Sequence, residues 1–136
     1  MIPRYHLDAN VVLRFLRNDD PQQSPAAAKL FAAGKAGKMR LFLSSVTVAE
    51  IFYVLARVYK HTPAGAAANL IPLVHSDAIE VENRKRVLNA LQRVAKTKVD
   101  LGDAYLAATA SEYGDQVVSF DGDLQSFPDI TTMVPQ

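Results

Sequence analysis

An alternation of short apolar runs with longer helical patterns most limits what this sequence can fold into. Residues 4–7 read as a strand, and a helical pattern follows from about 10 to 17. Asn18-Asp19-Asp20-Pro21 reads as the start of a second helix, with an aspartate as N-cap and proline in the first helical position. That helix continues through the alanine-rich stretch 26–33 and fades at Gly34 and Gly37. Arg40–Leu43 is a second strand, Ser44-Ser45 caps a helix to about residue 59, and Thr62-Pro63 opens another that ends near His75. A third strand at 78–81 is followed by two helices, the second running from Leu101 to Tyr113 and stopping at Gly114. A fourth strand at 116–120 and a weaker fifth at 130–134 complete the pattern. Strands separated by helices pair in parallel, because a parallel pair needs a crossover long enough to hold a helix. The expected class is therefore α/β, a central and mainly parallel sheet of four to five strands flanked by helices.

Length and composition set the frame for that reading. The 136 residues suffice for one domain, 1–136, with a real hydrophobic core. Cysteine is absent, so neither disulfides nor thiolate metal sites are available. Arg4, His6 and Asp8 interrupt the N-terminal apolar run, and no apolar stretch approaches the ~20 residues that span a bilayer. A cytoplasmic protein without membrane association is the expectation. No Gly-rich phosphate loop is present, and the three histidines lie in a strand, a turn and a helix end, which leaves no basis for a hydrolase triad.

Four carboxylates stand in apolar surroundings. Asp8 ends Tyr5-His6-Leu7, Glu50 interrupts Val46–Leu55, Asp103 opens Ala104-Tyr105-Leu106-Ala107-Ala108, and Asp121 follows Val117-Val118-Ser119-Phe120. No lysine or arginine lies within three residues of any of them. Apolar neighbours tend to pull such a group toward the core, where an unpaired charge is costly. A shared divalent cation would relieve all four at once. The topology permits this, because ligands of an open parallel sheet bind outside the carboxyl ends of its strands, where Asp8 and Asp121 fall. Taken singly, Asp103 could be a helix N-terminal stabiliser and Asp121 a turn residue.

Leu7-Asp8-Ala9-Asn10-Val11-Val12-Leu13 resembles the opening motif of PIN-domain nucleases, and Val48-Ala49-Glu50-Ile51-Phe52 resembles their second. Asp103-Ala104-Tyr105-Leu106-Ala107-Ala108 is similar to the third, and Val118-Ser119-Phe120-Asp121-Gly122-Asp123 to the fourth. Order and spacing agree along essentially the whole chain. The short length most resembles the VapC-type toxins of prokaryotic toxin–antitoxin pairs. The resemblance implies an endoribonuclease dependent on Mg²⁺ or Mn²⁺, with Asp8, Glu50, Asp103 and Asp121 as catalytic and metal-holding acids. It also implies in-line attack by an activated water, leaving 5′-phosphate and 3′-hydroxyl ends.

The same resemblance implies an RNA substrate, a VapB-like antitoxin that covers the acidic groove, and a homodimer. Asn10, Ser119 and Asp123 are secondary site candidates, and Asp100 reads as a helix cap. Ala9 stands where many relatives carry a hydroxyl residue. Arg14 and Arg17, one turn apart after Asp8, are candidate RNA contacts. So are Arg84, Lys85 and Arg86, which open a window, with Arg93, Lys96 and Lys98, that contains no acid. The alternatives are a solvated helix face for these bases and, for the whole chain, a silent RNA-binding module or a DNA-directed nuclease. None of the four acids is missing, which counts against the silent module.

Overall fold

Caps written into the sequence start most of the helices. The computed structural model describes residues 1–97 and 99–136; Lys98, the last member of the basic window, lies outside them. Strand β1 (Arg4–His6) feeds helix α1 (Ala9–Arg17), with Asp8 in extended backbone at the N-cap position, one residue before the start expected from Asn10. Helix α2 (Gln23–Lys35) begins later than expected: Gln22 holds the N-cap position, Pro21 stays in the preceding turn, and that turn is closed by Asp20. Its Oδ1 accepts from the amides of Gln22 and Gln23 at 2.9 and 2.7 Å. Strand β2 (Arg40–Leu43) leads to α3 (Ser45–Arg57), where Ser44 Oγ accepts from the Thr47 amide. Thr62 caps α4 (Pro63–His75) in the same manner through Gly65. Strand β3 (Glu80–Val81) precedes α5 (Arg84–Thr97), and Asp100 caps α6 (Leu101–Tyr113) through the Gly102 amide. The chain ends with β4 (Val117–Val118), a 3-10 helix (Gly122–Ser126) and β5 (Thr132–Met133).

Five parallel strands are present, as expected of an α/β chain, and they are divided between two sheets. The first has the order β1-β2-β3, with Tyr5 opposite Leu41 and Phe42 opposite Glu80. The second pairs β4 with β5, Val117 opposite Thr132. Among the described residues no ladder joins β1 to β4. Helix–strand alternation dictates the number and the parallel sense of strands, but not which edges meet. Strands β3 and β4 are also shorter than the apolar runs 78–81 and 116–120 that announce them.

The core is likewise in two parts. Leu41, Leu43, Ile51, Phe52, Leu70, Leu91 and Val94 belong to a main core between the first sheet and the helices. A smaller core gathers Ala107, Ala110, Val117, Leu124, Phe127 and Ile130 under the second sheet. Helix α5 packs between α4 and α6, and α6 contributes to both cores: Leu101, Ala104 and Ala108 to the first, Ala107 and Ala110 to the second. No helix among the described residues is long and apolar enough to cross a membrane.

At Gly34 helix α2 approaches β2 and the segment before β3 closely. A Cβ there would lie 2.5 Å from the Ala78 carbonyl oxygen and 2.8 Å from Leu41 Cδ1. Alanine in a helix interior is worth roughly 1 kcal/mol over glycine, whereas overpacking against fixed backbone costs about 1–3 kcal/mol. Gly34→Ala should therefore lower stability in urea unfolding by about 1 kcal/mol or more, with an unchanged m-value; a rise in stability would show that α2 can shift off the sheet.

Candidate active site

The four acids singled out by the sequence do not share one environment. Asp8, Glu50 and Asp121 are exposed and Asp103 is half-buried, so the expected pull into the core does not occur. The reason is helical and strand geometry. On α3 the buried residues are Val48, Ile51, Phe52 and Leu55, and Glu50, about 200° around the helix from Val48, faces the other way. Asp8 sits at the N-cap of α1 beyond the carboxyl end of β1. Asp121 caps the 3-10 helix, its Oδ1 accepting from the Asp123 amide at 2.9 Å.

Three carboxylates converge all the same. Asp103 in the first turn of α6, Asp121 and Asp123 each offer an oxygen within 4.8 Å of the others. Asp123, a secondary candidate in the sequence, is thus a full member, while Asp8 and Glu50 stand outside this group. Both are carried by elements of the first sheet's half of the molecule. Burial, followed by the charges of Asp100, Asp121 and Asp123, raises the pKa of Asp103 above the usual carboxylate range. Among the described residues the ion pairs engage Asp19, Glu80, Glu112 and Asp129, and none engages the three clustered acids. A set of aspartate oxygens without a cationic side chain suits a hard divalent ion that prefers carboxylate and water ligands.

The surrounding polar residues are arranged more plainly. Ser119 Oγ accepts from the Asp121 amide at 2.9 Å, bracing the turn rather than bonding a site carboxylate. Asn10 is exposed on α1 and lines a surface depression with Arg14 and Gln23. Asp100 is the cap foreseen, and its other contact is the Tyr53 hydroxyl, which donates to it at 2.8 Å. An apolar cavity of about 340 Å³ lined by Val46, Ala49, Tyr53, Leu101 and Tyr105 separates α3 from α6, and it contains none of the clustered acids.

The basic candidates are largely engaged within the protein. Arg14 donates to Gln23, and Arg17 pairs with Asp19 while lying 3.6 Å from the Tyr59 ring. Arg84 donates to the carbonyls of Ser76 and Ile79, and Arg86 pairs with Glu112 at 2.7 Å and reaches Tyr113. Lys85 is exposed. Counting charge along the chain could not reveal these partners, because Glu112 and Asp129 arrive from distant positions. Arg93 meets Asp129 through both carboxylate oxygens, and neither had stood out as a site residue. Phe127-Pro128 before Asp129 was the available signal, since it announces a fixed turn.

A family model described as PIN domain matches residues 5–130. No curated protein matches the chain.

Two aspartates should titrate with opposite effects on the metal-free fold. The pKa of Asp103 is raised on folding, so its ionisation destabilises the protein; that cost is absent below the ordinary value near ~3.9 and complete above the raised one. Asp129 is held down at about 2 by Arg93, so it stabilises above its ordinary value, and the benefit is lost as pH falls toward 2. In chelator at pH 7, Asp103→Asn should raise Tm by about 1–4 °C and Asp129→Asn should lower it, with both differences shrinking near pH 3. Thermal unfolding across that range checks the signs.

Proposed function

The chain belongs to the PIN-domain family, and from that premise we propose that it is a metal-dependent endoribonuclease acting as the toxin of a VapBC-type toxin–antitoxin pair. PIN domains are in general metal-dependent nucleases, which makes nucleic acid the substrate class and phosphodiester hydrolysis the reaction. The observation that carries the reading is the convergence of Asp103, Asp121 and Asp123 without a cationic partner among the described ion pairs.

In this reading Asp103, Asp121 and Asp123 hold Mg²⁺ or Mn²⁺. Asp8 and Glu50 complete the acidic set from the side of the first sheet, with Asp8 beyond the carboxyl end of its strand as Asp121 is beyond its own. A bound ion supplies positive charge at the scissile phosphate and lowers the pKa of a water. The chain's own part is to hold the acids in place: Asp121 is bound to its own turn, and Ser119 braces the backbone that bears it. Asn10 lies two residues beyond Asp8 and serves to orient it.

RNA rather than DNA rests on the similarity of the four motifs to VapC-type toxins. Exposed Lys85 and Lys96 offer free charge for the phosphate backbone, and Arg14, Arg17, Arg84 and Arg86 contribute where the strand displaces their present partners. A VapB-like antitoxin would neutralise the cluster with a basic side chain. Exposed Val46 and Phe120 are apolar surface available to a second copy or to the antitoxin. Such a protein works in the cytoplasm.

Cleavage of single-stranded RNA should require Mg²⁺ or Mn²⁺ and fall by more than ~100-fold in Asp103→Asn and Asp121→Asn, beyond what loss of an outer-shell partner costs. The same ions should raise the Tm of the wild type and not of Asp103→Asn. Cleavage indifferent to chelator would overturn the metal reading, and preferential cleavage of DNA would overturn the substrate.

A further inference from the structure

We propose that Arg93 and Asp129 form a clamp that positions the 3-10 helix bearing Asp121 and Asp123 against Asp103, and so sets the affinity of the acidic site for a divalent ion. The inference rests on the metal-binding reading and adds to it a residue pair that touches neither ion nor substrate.

The clamp joins three elements. From α5, the largely buried Arg93 side chain donates to both oxygens of Asp129, one at 2.9 Å, and its Nε donates to Asn89 at 2.7 Å. From α6, the Ser111 hydroxyl donates to Asp129 at 2.9 Å. Asp129 itself lies in the segment between the 3-10 helix and β5. The guanidinium also lies 4.9 Å from the ring of Phe127, which is buried in the smaller core with Leu124 and Ala110. A planar fork that meets a carboxylate on both oxygens fixes direction as well as distance.

What the clamp holds is short. The 3-10 helix spans five residues, and its side-chain bonds, Asp121 to the Asp123 amide and Ser126 to the Asp123 carbonyl, stay within the turn. Its position against α6 is set from within by buried Leu124, at one end by β4 and at the other by Phe127 and the clamp. The clamp resists a definite force. Three carboxylate oxygens within 4.8 Å of one another repel, and a shift of this turn away from α6 would relieve that repulsion. Holding the turn in place before an ion arrives is preorganisation: the ordering is done in folding, and binding is correspondingly tighter.

The test is Mn²⁺ affinity, read by the electron paramagnetic resonance of free Mn²⁺, together with amide exchange of residues 121–127 in chelator. Asp129→Asn is expected to weaken Mn²⁺ binding by about tenfold, the lower range for outer partners of a metal site, and to speed exchange in that turn. Asp129→Glu, which keeps the charge and the fork partner, should recover most of the affinity. Ile51→Val, a truncation in the main core, controls for lost stability and should leave the Mn²⁺ affinity unchanged. Equal affinity in Asp129→Asn and wild type would overturn the clamp, as would equal weakening by Ile51→Val. A wild type that binds no Mn²⁺ would overturn the metal site beneath it, whatever the exchange data show.

Discussion

The small side chains of α6 let one helix serve two cores, and the placement of the acids depends on it. Ala104 and Ala108 pack toward the main core, while Ala107 and Ala110 pack toward the cluster under the second sheet. All four are nearly or wholly inaccessible to solvent. A bulkier residue at any of these positions would push one layer away, since interiors packed to crystal density have no slack for added methylenes. Asp103 sits in the first turn of this helix. The segment carrying Asp121 and Asp123 packs on the same helix through Leu124 and Phe127. Close approach through alanine is thus what brings the three carboxylates together.

That convergence works against folding stability. Without an ion the acids repel, and burial first and then that repulsion raise the pKa of Asp103. Elsewhere it pairs its charges conventionally: Arg40 with Glu80, Arg86 with Glu112, Arg93 with Asp129. The Ser45 backbone and hydroxyl both donate to Glu82, which lowers its pKa. Side-chain polar atoms buried among the described residues all have partners. A chain that satisfies its polar groups this thoroughly, yet leaves three aspartates crowded and unpaired, has kept an unfavourable cluster that folding alone does not require. Such local violations mark functional sites.

Much of this was legible in the sequence because it is local. Ser44, Thr62 and Asp100 cap the helices that their positions announce, and Gly114 stops α6 in the left-handed conformation that glycine tolerates. Strand count and parallel sense follow from alternation. What failed to show was non-local. Apolar neighbours in the sequence of Glu50 said nothing about which way its side chain faces, and a helix places adjacent residues 100° apart. Which sheet edges meet is not encoded by alternation, and among the described residues β1 and β4 do not pair. Asp123 is readable in the sequence both as turn chemistry and as a further site acid, and its place beside Asp103 follows from α6 lying next to that turn.

The basic window shows the same limit in its strongest form. A run from Arg84 to Lys96 without an acid looks like a surface tuned for phosphate. In the fold, three of its arginines are taken up by carbonyls, by Glu112 and by Asp129, so each does structural work on α5. Arginine suits that role because its fork can satisfy a carboxylate and a carbonyl at a helix junction while its stem packs on aromatic rings. Among the described residues of this window, the charge left over for a polyanion is that of Lys85 and Lys96, on a protein whose formal net charge is only +1. Long-range attraction of RNA is then weak, and recognition must come from close contact at the acidic cluster, where a bound divalent ion reverses the local sign of the field. On this argument the ion is as much the anchor for substrate phosphate as the source of reactivity.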